Sequence, residues 1–171
     1  MGKVIFIIGG ARSGKSSFAC SLAKKASRRV AFIATAQALD REMKARINIH
    51  KQSRPGSWET YEEAFDIASV VKGLGDTDTA IIDCLTLWVS NRLLQKDSEE
   101  KMCAHIKTLT NAARKKNLTL ILVSNEVGLG IVPSNSLSRR FRDIAGTINK
   151  IVAEEADRVF SMVAGIPVKI K

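Results

Sequence analysis

Short apolar runs rich in β-branched residues alternate along the chain with longer segments of helical periodicity. Such runs are typical of strands that are buried on both faces of a parallel sheet, with helices covering each side. The pattern therefore predicts an α/β fold with right-handed crossovers. We expect strands at residues 3–8, 30–34, 79–83, 118–124 and 158–163, and helices at 15–26, 40–50, 98–117 and 138–155.

Two details refine this prediction. In the second predicted helix, Leu39, Met43 and Ile47 recur at a spacing of four and mark its apolar face. At the C-terminus, strand-like residues flank Gly165 and Pro167 and predict a closing hairpin over 159–171. Because proline lacks the N–H that an interior strand donates, we expect the last strand to be an antiparallel edge strand.

Length and composition are those of an ordinary globular protein. The chain has 171 residues, of which 45% are hydrophobic, and the longest apolar run near the start is far too short to span a membrane. We therefore expect a single domain over residues 1–171, no signal peptide, no stable membrane insertion and a cytoplasmic location. The three cysteines form no CxxC pair, which favours free thiols over disulfides or a zinc site.

The net charge of +10 indicates an anionic partner, which can be nucleic acid, an anionic surface or a polyphosphate. The basic residues are scattered and aromatic residues make up only 5% of the chain. Nucleic-acid stacking surfaces need aromatic side chains among the charges, so the support for an RNA or DNA partner is weak. We expect no nucleic-acid partner, although charge alone does not decide between these ligands.

A phosphate-binding motif follows the first predicted strand and begins the first predicted helix. The sequence GGARSGKS fits the pattern GxxxxGK[ST]. Its glycines let backbone N–H groups face phosphate oxygens, while the lysine adds a positive charge and the final serine a hydroxyl for Mg²⁺. The motif predicts a P-loop NTPase-like three-layer fold. We expect nucleotide contacts from Gly9, Gly10, Ala11, Arg12, Ser13, Gly14, Lys15 and Ser16.

A carboxylate at the end of another strand would complete a metal site with Ser16. Asp83 ends the third predicted strand and Glu126 follows the fourth, at the sheet edge where α/β proteins bind ligands. We rank Asp83 above Glu126. From the residues alone, Asp83 could equally well cap the helix that follows it, and both interpretations stay open.

The chain contains two histidines. His105 lies in a polar helix, where we expect it on the solvated face. His50 follows Arg46 by four residues, so a guanidinium beside it would keep the imidazole neutral, the form that acts as a nucleophile or base. A lone histidine at a helix end is nevertheless more often a cap or a surface residue, and spacing alone favours that role.

Four stretches carry a family resemblance across nearly the whole chain. They are GGARSGKS at 9–16, ATAQALDREMKARINIH at 34–50 continuing into RPGSWETYE at 54–62, DCLTLWVSN at 83–91, and VSNEVGLGIVPSNSLSRRFRDIAGTIN at 123–149. The sequence resembles the bifunctional adenosylcobinamide kinase/adenosylcobinamide-phosphate guanylyltransferase family of cobalamin biosynthesis. The first stretch is generic, whereas the second and fourth make the match specific.

The resemblance implies an enzyme with two activities. It would phosphorylate a hydroxyl of adenosylcobinamide with ATP or GTP. It would then transfer GMP from GTP through a guanylyl-histidine at His50, giving adenosyl-GDP-cobinamide and pyrophosphate. In this interpretation His50 and Lys15 are catalytic, and Ser16 and Asp83 hold Mg²⁺. Further nucleotide contacts are implied at Ala34, Thr35, Ala36, Lys51, Gln52, Ser53, Arg54, Glu62 and Asp83.

The resemblance also implies a corrinoid substrate and a homo-oligomer, a trimer being the assembly reported for the family. The loop at 126–136 could be a lid, face the corrinoid or form a subunit contact. Arg139, Arg140 and Arg142 could bind phosphate or lie on a solvated face. Two other functions stay open. One is a kinase that uses only the γ-phosphate, and the other is a nucleotide-dependent switch that binds nucleic acid.

Overall fold

The computed structural model describes residues 2–27, 29–52 and 54–171, without the side chains of Arg46 and His50. In chain order, the elements of this part are β1 (Val4–Gly9), α1 (Lys15–Ala26), β2 (Val30–Ala34), α2 (Arg41–Gln52), β3 (Glu59–Glu62), α3 (Ile67–Gly73), β4 (Thr79–Asp83), α4 (Leu85–Leu94), α5 (Glu99–Lys115), β5 (Thr119–Asn125), α6 (Ser136–Glu155), β6 (Arg158–Val163) and β7 (Ile166–Lys169).

The strands form one sheet in the order β3-β2-β4-β5-β1-β6-β7. Neighbouring strands are parallel except β6 and β7, which form an antiparallel hairpin. The predicted parallel sheet with an antiparallel C-terminal edge strand is therefore confirmed, and Pro167 lies in that edge strand. β5 separates β1 from β4, so the ends of these three strands lie side by side at one edge of the sheet.

Alternation along the central strands builds two apolar cores. Ile121 and Val123 of β5 pack on the face covered by α1, whereas Leu120 and Leu122 pack on the face covered by α3, α4, α5 and α6. Because side chains of a strand point alternately to opposite faces, a strand buried on both sides is continuously apolar. The predicted three layers are confirmed, with α1 covering the face of the sheet beneath the phosphate motif.

Three elements, β3, α3 and α4, are missing from the predictions based on periodicity. The four residues of β3 are mostly exposed, so they lack the apolar run of an interior strand. The helix α4 buries residues around most of its circumference, including Trp88, Asn91 and Arg92, so no amphipathic stripe marks it. Both polar side chains bond to backbone oxygens of the segment that follows β3.

The expectation that His105 lies on a solvated face is wrong. Its side chain is only 13% exposed, and its ring centroid lies 5.2 Å from that of Trp88. The Nε2 atom accepts a hydrogen bond from the N–H of Ala68 at 3.2 Å, and burial, with the nearby Arg92 charge, lowers the pKa of the imidazole. Charged neighbours in the sequence concealed a residue that faces another helix.

The helix α2 differs from the other long helices in its packing. It begins at Arg41, one residue later than predicted, and Asp40 accepts a hydrogen bond from the N–H of Met43. Leu39 precedes the helix and is exposed, so it does not contribute to the apolar face that the spacing predicts. Met43 and Ile47 are half-buried, and none of the described side chains of α2 is fully buried.

Two further predictions concern cysteines and membranes. Cys20, Cys84 and Cys103 are free thiols, as predicted. In the part of the chain that the structure describes, no helix combines the length and the apolar character needed to cross a membrane.

Candidate functional site

The phosphate motif forms a tight turn between β1 and α1. Gly14 has φ +90°, a left-handed conformation that favours glycine, and occupies the N-cap position of α1. A Cβ on Gly9 would lie 2.6 Å from the carbonyl oxygen of Met162, so only glycine fits there. Gly10, Ala11 and Arg12 are exposed at the tip of the turn. The N-terminus of α1 is thus open to an anion.

Neighbouring strands hold this turn in place. The N–H of Gly165, in the β6–β7 hairpin, donates to the carbonyl oxygen of Ser13 at 3.1 Å. On the other side, the N–H of Glu126 donates to the carbonyl oxygen of Gly9 at 3.0 Å. The loop is therefore fixed by strands on both sides before a ligand binds.

Lys15 is folded onto the phosphate loop. Its Nζ donates to the carbonyl oxygen of Gly10 and to Ser13 Oγ, the latter at 3.4 Å, and the residue is only 7% exposed. Burial lowers the pKa of its amine, and the negative charge of Asp83 opposes that shift. A buried ammonium group at the mouth of a ring of backbone N–H groups is suited to binding phosphate oxygens.

Asp83 ends β4 and is fixed by its neighbours rather than by capping a helix. The N-cap position of α4 belongs to Cys84, so Asp83 is not the N-cap residue. The peptide bond between the two is cis. Thr35 is fully buried, and its Oγ1 donates to Cys84 O at 2.8 Å and accepts from the Cys84 N–H at 2.9 Å. The Thr35 hydroxyl is thus used to hold the chain next to Asp83.

A cavity of about 560 Å³ adjoins the phosphate loop. It brings together Ser16 and Asp83, the two residues predicted to share a metal. Its walls come from one face of α1, from β2 and β4, and from the end of α2 and the segment after it. The lining residues are Ser16, Ser17, Cys20, Ser21, Lys24, Lys25, Phe32, Ile49, Arg54 and Asp83.

The sequence analysis missed the lysines of this cavity. Lys24 and Lys25 are absent from the predicted site residues, yet they extend the same face of α1 that begins at Ser16 and Ser17. Helical periodicity could have identified this face, because residues seven to eight positions apart lie one above the other on an α-helix. They add two positive charges to a cavity that already adjoins Lys15.

Arg54 lines the first cavity. Its guanidinium lies 3.6 Å from the ring centroid of Phe32, a cation–π contact. Burial lowers the pKa of Arg54, opposed by the charge of Asp83. Its Nη1 is buried and has no hydrogen-bond partner in the part of the chain that the structure describes. An arginine held in this way is suited to bind two oxygens of a phosphate group.

A second cavity of about 350 Å³ lies along α2. Lys51 of α2 forms an ion pair with Glu62 at the end of β3, and both side chains are largely exposed. Ala36 also lines this cavity. Ala34 ends β2 and is buried, and Gln52 ends α2 and is exposed. The predicted nucleotide residues are therefore distributed over the borders of two cavities.

Two predictions lie outside the described part of the chain. Ser53 is not described at all, and the side chain of His50 is not described. The backbone of His50 belongs to α2, between Ile49, which lines the first cavity, and Lys51, which lines the second. The backbone of α2 therefore passes from the first cavity to the second at His50.

The donor set at the first cavity fits a magnesium ion. The hydroxyl of Ser16 and the carboxylate of Asp83 supply the hard oxygen ligands that Mg²⁺ prefers. Among the side chains that the structure describes, which leave out that of His50, no group of three or more His, Cys, Asp and Glu residues could hold a metal by itself. Phosphate oxygens would have to complete the coordination. Glu126 instead accepts a hydrogen bond from the N–H of Gly128 within its own loop.

The loop after β5 is closed by an arginine. Arg139 of α6 donates to the carbonyl oxygens of Pro133 and Ser134, so its guanidinium shapes the loop rather than facing the cavity. Arg142 pairs with Asp143, and Arg140 is exposed. The loop itself displays apolar side chains, with Leu129 91%, Ile131 97% and Val132 60% exposed.

Comparisons with known proteins agree with this architecture. A family model described as cobinamide kinase / cobinamide phosphate guanyltransferase matches residues 5–170. The chain is 42% identical over 166 residues to the bifunctional adenosylcobalamin biosynthesis protein CobP of Pseudomonas aeruginosa, covering 96% of this chain and 95% of that protein. It is 40% identical over 181 aligned positions to the bifunctional adenosylcobalamin biosynthesis protein CobU of Escherichia coli, with 98% and 99% covered.

One solved structure is similar to this chain in its fold but not in its sequence. The RadB recombinase superposes with a TM-score of 0.56 at 11% sequence identity, covering 93% of this chain and 73% of that chain. The predicted fold class is confirmed by this likeness together with the sheet order.

Proposed function

The chain belongs to the cobinamide kinase / cobinamide phosphate guanyltransferase family, and on that premise we propose that one nucleotide site carries out both of its transfers. The enzyme is a bifunctional kinase and guanylyltransferase of cobalamin biosynthesis. The observation that carries the single-site proposal is the shared cavity: Ser16 and Asp83 line it together with Ile49, the residue directly before His50.

The first transfer is phosphorylation of a hydroxyl of adenosylcobinamide by ATP or GTP. The hydroxyl oxygen bonds to the γ-phosphorus while the bond from that phosphorus to the β–γ bridging oxygen breaks. The nucleoside diphosphate leaves with the electron pair, and the hydroxyl proton passes to water. Lys15 and the N–H groups from Gly9 to Ser16 hold the phosphates in place and stabilise the charge that develops on the leaving oxygen.

The second transfer proceeds through a covalent intermediate on His50. A ring nitrogen of neutral His50 bonds to the α-phosphorus of GTP, and pyrophosphate leaves as the α–β bridge breaks. A phosphate oxygen of adenosylcobinamide phosphate then bonds to the same phosphorus, and the P–N bond breaks to release the histidine. Two displacements replace one attack by a weak nucleophile. The product is adenosyl-GDP-cobinamide.

Basic residues around the cavity support this proposal. Lys24, Lys25 and Arg54 place positive charge where a triphosphate carries negative charge. Ser16 and Asp83 would hold Mg²⁺, which supplies charge neutralisation of the phosphates when bound. Ala36, Lys51 and Glu62 line the second cavity, and with Gln52 and Ser53 they complete the proposed guanine nucleotide site. Ala34 and Thr35 are buried, so they would shape this site rather than contact the nucleotide with their side chains.

We also propose that the chain assembles into a homo-oligomer, a trimer in the arrangement reported for the family, and that it works in the cytoplasm. The exposed apolar side chains Leu129, Ile131 and Val132 support an assembly, because exposed apolar patches mark contact surfaces. Sedimentation equilibrium should give three times the chain mass. A monomer at micromolar concentration would contradict this proposal.

Product analysis tests the two activities. Wild-type enzyme with Mg²⁺, ATP, GTP and adenosylcobinamide should yield adenosyl-GDP-cobinamide, and His50→Ala should stop at adenosylcobinamide phosphate. If wild-type enzyme also stops there, the chain is a kinase that uses only the γ-phosphate. Full conversion by His50→Ala would remove the histidine from the mechanism.

The nucleic-acid alternative has its own test. The basic residues around the cavity would bind the phosphates of a nucleotide, so the positive net charge does not require a nucleic-acid partner. We expect single-stranded and duplex probes to bind weakly, with no change when GTP is added. Tight binding that falls steeply with salt and depends on nucleotide would favour the switch instead.

A further inference from the structure

Asn125, a polar residue that the sequence did not predict at the site, ends the strand that lies between the phosphate loop and Asp83. The strand β5 is inserted between β1, which leads into the phosphate loop, and β4, which ends at Asp83. Its last residue is Asn125, which pairs with Gly9 at the start of the loop, whereas Asp83 pairs with Val123. Asn125 therefore lies beside the loop, two residues further along β5 than Val123, the residue that pairs with Asp83.

The pleat of β5 places the side chain of Asn125 on the face of the phosphate site. Ile121 and Val123 pack with residues of α1, the helix that starts with Lys15, whereas Leu120 and Leu122 pack in the opposite core. Because side chains alternate along a strand, Asn125 continues the row of Ile121 and Val123. Its carboxamide is thus on the same side of the sheet as the first turn of α1.

Two buried side chains fix the backbone of Asn125. Thr86 Oγ1 accepts a hydrogen bond from the N–H of Asn125 at 2.6 Å, and Asn149 Nδ2 donates to its carbonyl oxygen at 3.2 Å. Thr86 and Asn149 are 6% and 7% exposed. Asn125 is half-buried, and its carboxamide makes no hydrogen bond with any residue that the structure describes. Its backbone is held while its side chain is left available to a ligand.

We propose that the carboxamide of Asn125 donates a hydrogen bond to a γ-phosphate oxygen of the bound nucleoside triphosphate. The inference rests on the proposed function. The motif's backbone holds the α- and β-phosphates and its lysine reaches the β- and γ-phosphates, so a donor beside Gly9 and near Asp83 meets the third phosphate. In the kinase step this bond remains on a non-bridging oxygen while the γ-phosphorus moves to the substrate hydroxyl. Asn125 gives up no proton.

Binding measurements test the contact without turnover. The dissociation constants of ADP and of a non-hydrolysable ATP analogue are compared by calorimetry for the wild type and Asn125→Ala. Since a hydrogen bond to a charged group is involved, affinity for the triphosphate analogue should fall roughly 10-fold, while ADP binding stays within about 3-fold. The matched control, Asn111→Ala, makes the same change on the exposed face of α5 and should leave both constants unchanged. Equal loss for ADP and the analogue, or no loss, would overturn the proposal.

Thr86 is a positioning residue in this account, and its variants separate positioning from general stability. Thr86→Val removes the acceptor for the Asn125 N–H and should lower the preference for triphosphate over diphosphate, whereas Thr86→Ser should restore it. A preference that Thr86→Val leaves intact would contradict the positioning role.

Activity gives a second readout. Asn125→Ala should raise the KM for ATP in phosphorylation and the KM for GTP in GMP attachment about 10-fold, because a bond kept from the bound triphosphate to the transition state contributes to binding and not to kcat. A fall in kcat with both KM values unchanged would show that Asn125 acts only through folding of the site. If the wild type phosphorylates no corrinoid, the proposed kinase activity fails, and the binding comparison still decides whether Asn125 contacts the third phosphate.

Discussion

The two ends of the candidate site are built differently. At the phosphate end, α1 and the ends of β1, β4 and β5 are packed and hydrogen-bonded, and Lys15 is buried against its own loop. At the histidine end, α2 has no buried side chain among those described, and Lys51 and Glu62 form an exposed ion pair. One end is fixed before a ligand binds, whereas the other is held mainly by surface contacts.

This difference suits the two reactions. Charge on a leaving phosphate is stabilised best by groups that need no rearrangement, and the loop supplies them. A nucleophile that serves two successive displacements must meet first GTP and then a large second substrate. A helix with little buried surface is easier to shift than one in the core. The effects of substitutions at the two ends should therefore differ in size and in kind.

The largest effect is expected at the phosphate end. Lys15→Ala should lower both phosphorylation and GMP attachment by roughly 100-fold or more, because the proposed mechanism uses the same loop to stabilise both leaving groups. Steady-state assays of each reaction measure this, with Lys115→Ala on α5 as the control. Loss of only one activity would mean that the two transfers use different phosphate sites.

The next effect concerns the chain segment that positions Asp83. Thr35→Val leaves the N–H and carbonyl oxygen of Cys84 without the partner they now share, so the free energy of unfolding should fall by about 2–4 kcal/mol. Thr35→Ser keeps the hydroxyl and should cost about 1 kcal/mol. Urea unfolding measures both. Equal losses for the two variants would show that packing, not the hydroxyl, holds this segment.

A pH effect should come from the packed side of the molecule. Because burial lowers the pKa of His105 below its ordinary value of 6.5, the unfolded chain takes up a proton there before the folded chain does. The free energy of unfolding should therefore be fully maintained above pH 6.5 and fall as the pH drops toward 5. The charged groups that face the ring are Asp66, Asp97, Lys72 and Arg92. The pKa of each of the two carboxyl groups lies below its ordinary value of 3.8, so both stay charged between pH 7.5 and 5.

His105→Gln should flatten this dependence in urea unfolding between pH 7.5 and 5. The control Asn111→Gln changes an exposed, non-titrating side chain on the same helix, α5, and should keep the slope. A slope that His105→Gln leaves unchanged would contradict the assignment to His105.

The smallest effect on stability is expected at the histidine end. Lys51→Ala breaks an exposed ion pair with Glu62 and should change the free energy of unfolding by less than about 1 kcal/mol. The same variant should slow GMP attachment if the second cavity holds part of the nucleotide. A double-mutant cycle with Glu62→Ala measures the coupling. A large loss of stability would mean that α2 is anchored by contacts that its exposure does not suggest.

Sequence predicted the phosphate end better than the histidine end. Gly9, Gly14 and Lys15 could be recognised because the loop's constraints are local, and the strands flanking them are continuously apolar. The ends of β2, β4 and β6 agree with the predictions at both boundaries. Local constraints of this kind can be recognised from the spacing of residues.

Long-range contacts could not be inferred in this way. His105 is surrounded by charged residues in the sequence and is buried only because Trp88 lies across from it. The helix α4 shows no periodicity because it is buried on most sides. Asn125 lies beside the phosphate loop because of the order of the strands, and the sequence pattern did not predict that order. Lys24 and Lys25 could have been found by following one face of α1.

The intact mass of the protein after incubation with Mg²⁺ and GTP tests the central claim most directly. The wild type should gain the mass of one GMP, in an acid-labile linkage that peptide mapping places on His50. ATP should give no adduct, and neither should His50→Ala. Asn125→Ala should still form it. An adduct that persists in His50→Ala, or none despite measured GTP binding, would contradict the histidine mechanism.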